Sequence, residues 1–264
     1  MTTKHGKLTG ERPHQGATPD SLLALHDAGY RAVISRIGAG RVLDVGCGQG
    51  FESVRLGGVG RDVVGVDYSE EATSAARVRP GLLVCRMDAQ ALAFGARTFP
   101  WICSSHLIEH FAAPERHVAE VARVLADGGS AFFVTPNAPA DFENPFHVHL
   151  FGEAELTELL ARHFGEVWVR GIDAVDTVKA AFEARRAKAR RVLALDVLDL
   201  RHRMPRTWYL AAYARLLPVA YRLMAGTEIR GSSGGDADDW FVTEEVDDST
   251  LVLFAVCRSP KRGG

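Results

Sequence analysis

Val42-Leu43-Asp44-Val45-Gly46-Cys47-Gly48-Gln49-Gly50 decides how the rest of the chain is read. Val42, Leu43 and Val45 give the apolar run of a strand covered on both faces, as in a parallel sheet. Gly46, Gly48 and Gly50 then permit a sharp turn and let backbone approach a ligand with no Cβ in the way. The next residues, Phe51 to Leu56, predict a helix whose first amides face that ligand. The spacing is GxGxG, with an acid two residues ahead of the first glycine. The dinucleotide pattern is GxGxxG and needs no such acid. Asp44 falls at the strand's carboxyl end, where it can accept a hydrogen bond from an ammonium group. On the glycines alone, a tight strand-to-helix turn without a ligand is an equal reading.

Two later acids shift that balance. Val63-Val64-Gly65-Val66-Asp67 is a second apolar strand ending in an acid, 21 residues after Gly46. An acid at that place can take both hydroxyls of a ribose. Leu82-Leu83-Val84-Cys85-Arg86-Met87 leads to Asp88 after another 21 residues, in position to reach an adenine amino group. Three strand-end acids at regular spacing point to an adenosine-bearing ligand.

The chain resembles the class I S-adenosylmethionine-dependent methyltransferases over roughly residues 40 to 170. Asp44 to Gly50 is similar to their first motif, Asp67 to their ribose acid, and Asp88-Ala89 to their adenine motif. Ser104-Ser105-His106-Leu107-Ile108-Glu109-His110 and Arg123-Val124-Leu125 with Gly128-Gly129 continue the likeness. The family usually has Phe-Asp before its fourth strand, where this chain has Phe99-Pro100. The resemblance implies a cofactor-binding set of Asp44, Gly46, Cys47, Gly48, Gly50, Asp67, Tyr68, Asp88, Ala89 and Ser105. It implies S-adenosylmethionine as cofactor.

Composition sets the outer bounds. At 264 residues the chain is one large domain, or one domain with a big insertion. Its 47% hydrophobic and 24% charged residues are ordinary for a globular protein. A net charge of −2 gives no argument for a nucleic-acid partner. Cys47, Cys85, Cys103 and Cys257 are scattered without a CxxC pair, as expected of reduced thiols in a cytoplasm. The start of the chain is polar, so no signal peptide is expected. No apolar run approaches the ~20 residues that span a bilayer.

Taken in order, residues 1–19 read as a polar N-terminal arm and 20–175 as a Rossmann-like core. Residues 176–248 read as a helical insertion, and 249–264 as the last core strand and tail. A helix is expected from Ser21 to about Ile37, with an apolar stripe that includes His26 and Tyr30. Strands are expected near 41–45, 62–66, 82–86, 100–104, 130–134, 166–172 and 251–257. Helices are expected near 51–56, 70–77, 114–125 and 153–163. This alternation predicts a seven-stranded, mostly parallel α/β sheet with helices on both faces. Ligands then bind at the strands' carboxyl ends. By the resemblance, the sixth and seventh strands form an antiparallel hairpin at the sheet edge.

Nearly eighty residues separate those two strands. Residues 177–192 look like a basic helix, and a second helix runs from about Pro205 to Met224 with Trp208, Tyr209 and Tyr213. An acidic stretch from Asp236 to Asp248 follows. The insertion reads as a helical cap over the strand ends. A passive packing elaboration and a peripheral membrane contact are the other readings.

An alcohol acceptor must lose its proton during methyl transfer, so a base or a metal must stand near it. His106, Glu109 and His110 follow the fourth strand and share a face if they form a helical turn. His110 can equally be a capping or packing residue. Asn144-Pro145-Phe146-His147-Val148-His149 follows the fifth strand, and its two histidines point the same way if the segment is extended. His147, His149, His106 and Glu109 are the candidate catalytic residues. Glu109, His147 and His149 are also a candidate metal set, and Mg2+ a second candidate cofactor. Imidazoles are not magnesium's preferred ligands.

The Asn-Pro-Phe-His element is similar to one in bacterial O-methyltransferases that act on sugars. Leu8-Thr9-Gly10-Glu11-Arg12 and Asp247-Asp248-Ser249 add to that likeness. The resemblance therefore implies O-methylation of a saccharide or a glycosylated small molecule. A quinone, lipid or other natural-product hydroxyl is the alternative acceptor. A nicotinamide oxidoreductase is the distant alternative, opposed by the GxGxG spacing and Asp44. A non-catalytic nucleotide-binding module is a further one, opposed by the histidine cluster.

Overall fold

A computed structural model of the chain describes residues 18, 20–141, 146–193, 208, 215 and 236–261. Among the described residues, eight strands form one mixed sheet. They are β1 (Gly40–Val45), β2 (Arg61–Asp67), β3 (Leu82–Arg86), β4 (Phe99–Ser105), β5 (Leu125–Pro136), β6 (Phe164–Ala174), β7 (Trp240–Thr243) and β8 (Val252–Pro260). The order across the sheet is β3-β2-β1-β4-β5-β8-β6-β7. The first five strands pair in parallel, and β8 runs antiparallel to both β5 and β6.

The helices are α1 (Asp20–Ile34), α2 (Glu70–Ala76), α3 (Pro114–Val124), α4 (Glu153–His163) and α5 (Asp176–Leu193). Local chemistry sets their starts. Ser69 caps α2 by accepting from the Ala72 amide at 3.2 Å, and Glu70 and Glu71 occupy its first turn. Such a cap contributes about 1 kcal/mol. Pro114 opens α3, where its missing N–H costs nothing.

Strand alternation assigns the two faces. Leu43, Ile102 and Phe133 join Val118 and Val121 of α3 and Leu156 and Leu160 of α4 in one buried cluster. Fully burying each such side chain is worth about 1.5–3 kcal/mol. The opposite face carries Asp44 and Val134 and meets α1. There the Tyr30 hydroxyl donates to Asp44, and a Cβ at Gly29 would lie 3.1 Å from Val134 Cγ1.

The chain divides into two compact units. His26–Asp141, Val148–Asp173 and Val242–Gly264 form one, and Met1–Leu25, Phe142–His147 and Ala174–Phe241 the other. In the second, Val178 and Phe182 of α5 are buried, and the Phe182 ring meets Trp240 edge-on at 6.0 Å.

The structure corrects three expectations. The sheet has eight strands rather than seven, because Trp240-Phe241-Val242-Thr243 is a short β-favouring run set inside the acidic stretch. That strand takes the edge, so the antiparallel β6–β8 pair lies inside the sheet. The helix expected at 51–56 is a four-residue 3-10 turn, Ser53–Leu56, bracketed by Gly50 and Gly57-Gly58. The basic helix expected at 177–192 is α5. The second insertion helix lies outside the described residues apart from Trp208 and Arg215, as does the N-terminal arm apart from Thr18. Among the described residues, no helix is long and apolar enough to cross a membrane, and the four cysteines are free.

Candidate active site

The carboxyl end of β1 leads into a turn shaped by backbone rather than by side chains. Gly46, Gly48 and Gly50 have φ of 83°, 53° and 74°, the left-handed region that glycine enters without strain. A Cβ at Gly46 would stand 3.0 Å from Leu107, and one at Gly50 would stand 2.7 Å from Leu82. The Gly46 and Cys47 amides donate to Val66 O at 2.8 and 2.9 Å, which hooks the turn over β2.

Asp67 completes the hook. Its two carboxylate oxygens accept from the Gly48 amide at 3.0 Å and the Ser69 amide at 2.8 Å. A carboxylate oxygen accepts more than one hydrogen bond, so two adjacent hydroxyls are within the acceptor capacity of this group. Tyr68, beside it, is 58% exposed.

Asp44 is fully buried. It accepts from Ser53 Oγ at 2.5 Å and from the Tyr30 hydroxyl at 3.2 Å. Burial pushes its carboxyl up to about 6, against the opposing pull of those hydrogen bonds. Asp88 is exposed at the end of β3, where its Oδ1 caps a turn by accepting from the Gln90 amide at 2.8 Å. The carbonyl of Ala89 points inward to His117, whose Nδ1 lies 3.1 Å away. A carbonyl only accepts, so Nδ1 carries the proton and Nε2 accepts from Ser104 Oγ at 2.9 Å. Burial lowers His117 to about 4, which keeps it neutral.

A second group gathers where β4 and β5 end. His106 adopts a left-handed backbone with φ of 50°, a conformation uncommon outside glycine that collects at functional sites. Its amide donates to Val134 O at 2.7 Å. Its ring packs on His26 of α1, centroids 4.0 Å apart. His106 Nδ1 lies 3.6 Å from Glu109 Oε1, and Glu109 Oε2 accepts from Thr135 Oγ1 at 3.0 Å. His106 Nε2 is buried with no hydrogen-bond partner among the described residues, and so is Ser105 Oγ. Such groups call for an account in a native fold.

The structure thus brings His106 and Glu109 together. It draws His149 elsewhere: Nε2 lies 2.8 Å from Glu155 Oε1 of α4, and the ring stacks on Phe151 at 4.3 Å. His147 is half-buried and belongs to the other compact unit. His110 begins no helix, because Ile108–His110 is a single 3-10 turn. Asp247 caps its own turn, accepting from the Ser249 and Thr250 amides at 2.8 and 2.9 Å.

Sequence reasoning missed His26, Ser53, Thr135 and His117 as members of these networks. For His117 a signal exists. It sits one turn before Val121 on the buried stripe of α3, where an imidazole needs partners.

Comparison with known proteins bears on the family and the fold. A methyltransferase domain family matches residues 43–133. The chain is 32% identical over 161 residues to a Mycolicibacterium smegmatis protein named "Probable S-adenosylmethionine-dependent methyltransferase", covering 58% of this chain and 63% of that one. It is 36% identical over 103 residues to a ubiquinone biosynthesis O-methyltransferase of Aromatoleum aromaticum, covering 37% of this chain and 44% of that one. The chain therefore spans about three fifths of the length of the first curated relatives it matches, 63% and 59%. The solved structure of an S-adenosylmethionine-dependent methyltransferase from Thermotoga maritima is similar with a TM-score of 0.57 at 17% identity, covering 90% of this chain and 91% of that one. At that identity the likeness concerns the fold.

Proposed function

We propose that this chain, which belongs to the class I S-adenosylmethionine-dependent methyltransferases, transfers a methyl group to a hydroxyl oxygen of a small acceptor, with His106 as the base. The single observation that carries the second half is the imidazole of His106, held on a left-handed backbone with its Nε2 unpartnered.

The residues fit the donor. The glycine turn offers close backbone approach, Asp67 has acceptor capacity for the ribose hydroxyls, and Asp88 with Ala89 stands where the adenine would lie. Cys47, Tyr68 and Ser105 flank the same pocket in this reading. Asp44 is the partner for the methionine ammonium, and a cation arriving there would pull its raised carboxyl back down.

When bound, S-adenosylmethionine supplies a methyl group on a positively charged sulfur. The chain's own work is then mostly alignment and exclusion of water, which can supply ~7–11 kcal/mol. His106 Nε2 accepts the acceptor's hydroxyl proton. Glu109, anchored by Thr135, orients the ring and offsets the charge it gains. The expected residues do not fit magnesium. That ion prefers oxygen donors, and the expected set offers one carboxylate against two imidazoles.

A saccharide or glycosylated small molecule is our first acceptor, on the strength of the Asn144-Pro145-Phe146-His147 element. A phenolic or quinol hydroxyl is the second reading, favoured by the similarity to ubiquinone biosynthesis O-methyltransferases. The two acceptors make different demands. A sugar hydroxyl is a far weaker acid than a phenol, so it depends more on the base. Mass analysis of a mixed panel of sugars, glycosides and phenols with the methyl donor is the test. Methylated sugars support the first reading, methylated phenols alone support the second, and methylation on nitrogen alone would overturn both.

A further inference from the structure

The face of the sheet that meets α1 carries charges that methyl transfer does not use. Phe132 on β5, Phe254 and Val256 on β8, and Trp168 and Arg170 on β6 alternate onto that face, and Arg258 continues the β8 row. With Arg36, just past the end of α1, they line a cavity of about 390 Å³. That is within the ~300–1,000 Å³ of small-molecule sites. Arg36 precedes the start of β1, whereas the donor turn leaves the end of β1, so the cavity and the donor turn use different residues.

The three guanidiniums are pre-arranged. Arg36 uses Nη1 on Ala32 O at 2.8 Å and Ser35 Oγ at 3.0 Å, with Cζ 5.1 Å from the Phe254 centroid. Arg258 uses Nε on Ser130 Oγ at 2.9 Å, with Cζ 5.7 Å from the Trp168 centroid. Arg170 uses Nη1 on Val169 O at 3.2 Å. Each is thus held at one end or over a ring, with further N–H donors left over.

Two acids stand near them, and neither neutralises the group. Glu244 Oε1 lies 3.6 Å from Arg170 Nη2 on an 87% exposed side chain. Glu166 is opposite Arg258 in the β6–β8 register, and its Oε1 accepts from Ser259 Oγ at 2.6 Å. Three like charges in one cavity repel unless an anion joins them. Guanidinium forks match phosphate and carboxylate oxygens in pairs.

We propose that this cavity binds a small molecule with two or more phosphate or carboxylate groups and an apolar body that rests on Trp168. The inference stands apart from methyl transfer. It is tested by titrating the whole protein with inorganic pyrophosphate and with citrate at constant ionic strength, followed by calorimetry. The variants are Arg36→Met and Arg258→Met, which keep the apolar stems over the rings. Thermal unfolding and S-adenosylhomocysteine affinity, both expected unchanged, verify the fold.

Saturable binding of either probe to the wild type, weakened about tenfold or more in each variant, is the expected result. Which probe binds separates phosphate from carboxylate ligands. No saturable binding to the wild type, or equal binding by the variants, would overturn the proposal. So would a response to poly-glutamate alone, which would put an acidic protein segment there instead.

Discussion

The proposed donor side and the proposed acceptor side of this sheet are built from different materials. At the ends of β1 and β2 the geometry is backbone: three positive-φ glycines, two amides on Val66 O and two on Asp67. At the ends of β4 and β5 it is side chains from separate segments, with His26 from α1, His106 and Glu109 after β4, and Thr135 within β5. A backbone site tolerates most side-chain changes outside its glycines and acids. A side-chain site loses its chemistry with one substitution while the fold persists. The two sides should therefore fail separately.

The largest effect expected is on turnover. His106→Ala should lower kcat by about 10²–10⁴ if the imidazole is the base. S-adenosylhomocysteine affinity, measured by calorimetry, should move by less than about threefold. Equal loss of both would break the separation of the two sides.

A smaller and subtler effect is on stability against pH. Asp44 has its carboxyl raised to about 6, so the folded state holds a proton that the unfolded state has released. Its contribution is present at low pH and is lost as pH rises from about 4 to 6, by roughly 3 kcal/mol. His117 is lowered to about 4, so the folded state lacks a proton that the unfolded state holds. Its contribution is present above about 6.5 and is lost as pH falls toward 4, again by roughly 3 kcal/mol. In the wild type the two slopes oppose each other. Urea unfolding across this window should show stability rising more steeply with pH in Asp44→Asn than in the wild type, and less steeply in His117→Asn. Identical slopes in both variants would mean that neither group is buried as described.

The smallest effect should come from His149→Ala. Its hydrogen bond with Glu155 is exposed, so the stability change should stay below about 1 kcal/mol. Turnover should change by less than about threefold. A loss as large as that of His106→Ala would move the base to the loop after β5 and redraw the acceptor side.

The same contrast explains what the sequence makes legible. Val42 to Gly50 reads correctly because strand, turn and glycine constraints are local, and a strand-end acid announces itself by spacing. The parallel half of the sheet follows from that alternation. Trp240 to Thr243 does not, because four β-favouring residues inside an acidic run carry too short a period. Phe51 to Leu56 looks helical until Gly57-Gly58 is weighed. On the proposed acceptor side, the role of His149 is read from spacing alone, and its side-chain contacts are set by the fold. Glu155, six residues on in α4, takes the His149 imidazole, while Thr135 and His26 reach the His106 cluster from segments that no motif joins.

The most direct test of the central claim is a calorimetric titration of the wild type and Asp67→Ala with S-adenosylhomocysteine, run beside NAD. The account predicts low-micromolar or tighter binding of S-adenosylhomocysteine and weaker or no binding of NAD. It predicts a loss in Asp67→Ala of about 2–4 kcal/mol, roughly 30- to 1,000-fold. Preference for NAD, or an affinity that the substitution leaves unchanged, would contradict it.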